Sequence, residues 1–153
     1  MKSMNLQLLY TLYNLALVVV ISVAKIKTGP LLHFAQANSL LVMYGVASAY
    51  LLCGSDQVWG VYHNYLSLFN SNNTKILYVI VDIVTHILPV LVLGLPMDNW
   101  MFIPAYACLA TWYILVRDRI HELYMDQPKN KYDTIVFVYI PLMVLLGILL
   151  RCL

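Results

Sequence analysis

The chain has 153 residues, of which 62% are hydrophobic and 10% charged, and a mean hydropathy of +0.79. A water-soluble fold of this length could not hide that much apolar surface. The net charge of +2 gives no argument for nucleic acid. The three cysteines, Cys53, Cys108 and Cys152, are odd in number, far apart and without a CxxC pair, which indicates neither a disulfide framework nor a zinc site. The expected fold class is all-α, a polytopic transmembrane helix bundle of five or six spans in one membrane domain over residues 1–153.

In chain order, residues 5–24 form the first expected span. Lys2, an apolar run and Ser22-Val23-Ala24 also fit a signal peptide, but the segment is read as a membrane helix. Lys25, Lys27, Gly29 and Pro30 then stop it, and Leu31 to Phe34 are expected at the interface, with His33 toward the headgroups. Residues 35–53 are the second span, where Gly45 and Ala49, four apart beside Ser48, would let a neighbouring helix approach closely. Gly54-Ser55-Asp56 turns the chain into residues 57–69, a short, aromatic-rich helical stretch that either crosses, re-enters or lies in the interface.

Residues 75–95 are the stretch around which the chain is expected to be organised. At 1.5 Å per residue, about 20 residues cover a hydrocarbon core of roughly 30 Å. This span holds an acid, Asp82, and an imidazole, His86, where ionisable groups are costly and call for a reason. Their i,i+4 spacing puts them on one helix face. Pro89 removes the N–H that would bond the Thr85 carbonyl and crowds that carbonyl, loosening the ladder beside His86. Residues 100–116 and 134–150 complete the spans, with 117–133 between them read as a charged loop that starts with a further turn or two of helix. Several aromatics (Tyr50, Tyr78, Trp100, Tyr113 and Tyr132 among them) fall near expected span ends, as an interfacial belt would.

Lys and Arg favour the cytoplasmic side. Five spans with the N-terminus inside give six inside against three outside; six spans with the N-terminus outside give seven against two, the better score. Both put Lys75 and residues 117–131 on the cytoplasmic face and the C-terminus opposite, and both leave Asn72 unglycosylated.

Three functions compete. The leading expectation is a structural or accessory subunit of a larger membrane assembly, with the lipid bilayer and other membrane subunits or a second copy as partners, and no enzyme activity, cofactor or metal. The second is a small transporter or channel for protons or a small solute centred on Asp82 and His86. His63 is a secondary candidate, since a re-entrant 57–69 stretch could bring it toward His86 as a two-histidine site. The third is an intramembrane lipid enzyme with His86 as base and Ser48 or Thr85 as nucleophile. His121 and Glu122 read as a solvated face or docking patch.

Overall fold

The computed structural model describes residues 2–54, 58, 74–96, 98–123 and 129–152. Among these residues every regular element is helical. The elements are α1 (Lys2–Val23), α2 (Pro30–Cys53), α3 (Thr74–Asp82), a π-helical segment π1 (Ile83–Ile87), α4 (Leu88–Leu93), a 3₁₀ turn (Asn99–Met101), α5 (Phe102–Leu123), α6 (Lys129–Thr134), a second π-helical segment π2 (Ile135–Tyr139) and α7 (Ile140–Cys152). Four rods are long and apolar enough to cross a membrane: Pro30–Cys53, Ile76–Leu93, Asn99–Asp118 and Lys131–Leu149. A fifth helix, α1, contributes the shorter apolar stretch Leu12–Val23.

The bundle is organised around α2, not around the Ile76–Leu93 rod expected from the sequence. α2 packs against α1, π1, α4, α5, α6, π2 and α7. Its sequence explains the role. Pro30 starts the helix, where a missing N–H costs nothing, and Gly54 ends it at φ +82°. Between them, small and apolar residues on several faces (Ala35, Ala37, Leu40 and Leu41) are buried. Gly45 lets Ile140 approach: a Cβ there would meet the Ile140 Cδ1 at 3.4 Å, so the small-residue notch faces the start of α7. Leu31 to Phe34, expected in the interface, lie within the first turns of α2, because Pro30 begins the helix five residues early.

Polar contacts fix the directions of the rods. Gln36, near the start of α2, donates from Nε2 to the Leu93 carbonyl at the end of α4 (2.7 Å). Tyr50, near the end of α2, donates its hydroxyl to Asp82 Oδ2 at the end of α3. The two rods therefore run antiparallel, and Cys53 and Thr74 lie at the same end of the bundle. Asn38 on α2 donates to Asn14 on α1, while Ile21 packs with Leu32 and Ala35, so α1 is also antiparallel to α2. On the other side, Tyr106 pairs with Val136 and Arg117 with Asp133, which sets α5 antiparallel to the α6–π2–α7 rod.

The stretch 117–133, expected as a loop after a turn or two of helix, is helical through Leu123 and again from Lys129. Asn130 lies inside α6. Arg117 explains the continuation: its guanidinium grips Asp133 through Nε (2.9 Å) and Nη2 (2.5 Å), and Tyr113 donates its hydroxyl to the same carboxylate (2.8 Å). Lys131 Nζ donates to the Leu52 carbonyl (3.3 Å), placing a cation at the C-terminal end of α2 where the helix dipole favours one. The expected aromatic belt is only partly an outward belt. Trp100 is 75% exposed, but Tyr78, Tyr113 and Tyr132 are buried and Tyr50 turns inward. A phenol buries its ring among helices while its hydroxyl finds a partner, which an interfacial position does not require.

Candidate functional site: the Asp82 cluster

Asp82 is the last residue of α3 and, among the described residues, one of six buried polar or charged ones, at 7% exposure. The helical register puts its carboxylate on the face that meets α2, where Tyr50 donates to Oδ2. Oδ1 lies 3.3 Å from His86 Nδ1, so the i,i+4 pair does touch. Asp82 has further interactions besides these.

The protonation pattern of His86 follows from its neighbour. Thr85 has one hydroxyl proton, and a carbonyl can only accept. The 2.7 Å contact from Thr85 Oγ1 to the Val81 carbonyl therefore uses that proton. Thr85 Oγ1 also lies 2.8 Å from His86 Nδ1, and there it must accept. Nδ1 thus carries the hydrogen, facing both the Thr85 oxygen and the Asp82 carboxylate. Nε2 is the ring's remaining nitrogen. Among the described residues nothing hydrogen-bonds to it.

The backbone under this cluster is π1. The Leu88 N–H bonds the Ile83 carbonyl, an i→i−5 link, instead of the usual i→i−4. The next such link would join residue 89 to the Val84 carbonyl, and Pro89 has no N–H to make it. The π turn ends there, and the chain resumes as α4. The loosening read from Pro89 thus takes the specific form of a one-turn widening that spans Thr85 and His86.

This geometry bears on the chemistry. A nucleophilic Thr85 activated by His86 would need to give its proton to the imidazole, but that proton is on the Val81 carbonyl and Nδ1 is a donor. Ser48 is buried on α2. His63 and residues 57–69 as a whole, save Val58, lie outside the described residues, as does Asn72; the side chains of His121 and Glu122 are likewise not described. His33 sits in the first turn of α2, its Nδ1 3.3 Å from Gln36 Oε1. Among the described residues no group of three or more His, Cys, Asp or Glu side chains comes together as a metal site would require.

Sequence reasoning passed over the partners on α2. The sequence alone places Tyr50 in the aromatic belt and gives Gln36 and Asn38 no partner. The signal was present: two amides in the run Phe34-Ala35-Gln36-Ala37-Asn38-Ser39 are as anomalous inside an apolar span as an acid is. No family model, curated protein or solved structure matches the chain.

Proposed function

We propose that the protein is an integral membrane protein that crosses the bilayer five times and serves as a structural or accessory subunit of a larger membrane assembly. The observation that carries this reading is what the buried polar groups do. Asn14 with Asn38, Gln36 with the Leu93 carbonyl, and Tyr50 with Asp82 each join α2 to another helix. In hydrocarbon, polar side chains are retained where they hydrogen-bond across helices, and model systems give about 0.6–2 kcal/mol for each. Asp82 is thus a tie between α2 and the Ile76–Leu93 rod. Outside these contacts, the rods present exposed Ile, Leu and Val, as surfaces facing lipid or neighbouring subunits do.

The antiparallel arrangement also favours five crossings over six. Gly54 leaves α2 and Thr74 enters α3 at the same end of the bundle. The charge count for that arrangement is six Lys and Arg at the end carrying Thr74 and Leu123, against Lys25, Lys27 and Arg151 at the other. The six-to-three excess orients Lys75 and residues 117–131 toward the cytoplasm.

Retention in the membrane pellet after alkaline extraction tests the membrane reading. Gentle solubilisation followed by mass measurement in solution tests the subunit reading: co-migration with a larger assembly supports it, and a monodisperse solitary monomer contradicts it. A glycan on Asn72 would reverse the orientation.

The second reading, proton transport, is favoured by one observation: the buried Asp82 carboxylate lies 3.3 Å from His86 Nδ1 within a rod long and apolar enough to cross a membrane. Its test is proton flux in liposomes. Unchanged flux in both Asp82→Asn and His86→Ala removes these residues from any pathway.

A further inference from the structure

At the bundle end opposite Thr74, α5 and α7 face each other across a gap. The gap between them is an open groove of about 530 Å³, walled by Trp100, Ile103, Tyr106, Pro141, Val144 and Ile148. We propose that this groove is a binding site for one acyl chain of a membrane lipid, whose headgroup lies beside the 3₁₀ turn at Asn99–Met101. The proposal rests on the membrane reading above but not on the subunit reading.

Three observations select this occupant. Both walls belong to rods long and apolar enough to cross a membrane, Asn99–Asp118 and Lys131–Leu149, so in a bilayer the groove opens sideways into hydrocarbon. Its polarity is graded. Asn99 is its one polar, non-aromatic wall residue and sits at the mouth, next to Asp98, whose carboxylate accepts from the Trp100 N–H at 2.9 Å. Trp100, 75% exposed at that mouth, has the position of an interfacial anchor. Deeper in, the one hydroxyl, on Tyr106, is already donated to the Val136 carbonyl at 3.1 Å. A polar ligand would find no donor there, whereas a methylene chain needs none. The volume falls within the range of about 300–1,000 Å³ typical of small-ligand sites.

Pro141, the second residue of α7 and two residues past the end of π2, forms part of the groove wall.

The test uses the full chain in detergent with Trp59→Phe and Trp112→Phe, so that Trp100 is the sole tryptophan. Phosphatidylcholine brominated in mid-chain is titrated in. The expected result is quenching of Trp100 that saturates near one lipid per chain. Val144→Phe and Ile148→Phe, which fill the groove, are each expected to weaken apparent binding at least fivefold. Leu115→Phe, on an exposed part of α5 outside the groove, serves as the control and is expected to leave it unchanged. Quenching that rises linearly without saturation, or equal binding in all three variants, overturns the proposal. So does a stable dimer whose Trp100 is shielded from the brominated lipid, because a second copy would then occupy the groove. Circular dichroism of each variant separates loss of the site from loss of the fold. Retention after alkaline extraction with only linear quenching would sink the groove and leave the membrane reading standing.

Discussion

The two π-helical segments are built alike and used differently. Each is five residues long, each closes with an i→i−5 bond (Leu88 to Ile83, Ile140 to Ile135), and each stops two residues before a proline, Pro89 or Pro141. In each, the carbonyl five residues before the proline loses the donor that would continue the turn. In π2 that carbonyl belongs to Val136, and Tyr106 from α5 supplies a hydroxyl to it. Ile135 and Val136 are buried there, and Tyr113 meets Phe137 edge-on with ring centres 5.7 Å apart. In π1 no residue is buried; its Thr85 and His86 are tied to the Val81 carbonyl and the Asp82 carboxylate. The same backbone irregularity is a neutral packing joint in one rod and the seat of an ionisable pair in the other. The proline sets the irregularity, and the residues in the preceding turn decide its use.

Removing the acid should separate the two segments most. Asp82→Ala leaves the Tyr50 hydroxyl and His86 Nδ1 without their shared acceptor and is expected to destabilise the fold by about 2–3 kcal/mol. Asp82→Asn, which keeps an acceptor oxygen for Tyr50, is expected to cost about half as much. Denaturation in mixed micelles measures both, and equal losses would break the assignment of Tyr50 as donor.

The joint at π2 gives a smaller effect with a sharper signature. Tyr106→Phe is expected to cost about 1 kcal/mol in the native background, because the Val136 carbonyl loses its donor. In a Pro141→Ala background the backbone regains an N–H for that carbonyl, and the cost should fall toward zero. A Tyr106→Phe penalty that is the same in both backgrounds would remove the proline from the explanation.

The prolines should also differ from each other. Pro89→Ala is expected to stabilise by roughly 1 kcal/mol and Pro141→Ala by less, since Tyr106 already satisfies the carbonyl at π2. The reverse order would show that the segments are not used as described. Smallest in energy but most specific is the state of His86. Nitrogen NMR of the labelled chain should show the hydrogen of the neutral ring on Nδ1 rather than on Nε2. An Nε2–H tautomer would contradict the Thr85 hydrogen-bond assignment.

The helical class and the long apolar rods were legible in the sequence, because length and composition alone carry them. The Asp82–His86 contact was legible too, since i,i+4 spacing is local. What was not legible depends on which helix faces which. Tyr50 and Asp82 are 32 residues apart and Gln36 and Leu93 are 57 apart, and no periodicity links them. The central role of α2 follows from those pairings, whereas the sequence points to 75–95, where a span-length run holds Asp82, His86 and Pro89. The run of α5 on to Leu123 is the further turn or two expected, but the start of α6 was not legible, because Lys131 and Asp133 look like solvated loop charges until their partners are placed. The π turns were half visible, since a proline in a helical run announces a defect without saying which.

The tie between Tyr50 and Asp82 can be measured by itself. A double-mutant cycle of Tyr50→Phe and Asp82→Ala, read from unfolding in mixed micelles, is expected to give a coupling energy of about 1 kcal/mol. If the two substitutions simply add, Asp82 does not hold α2 to its neighbour, and its place in the span needs a different explanation.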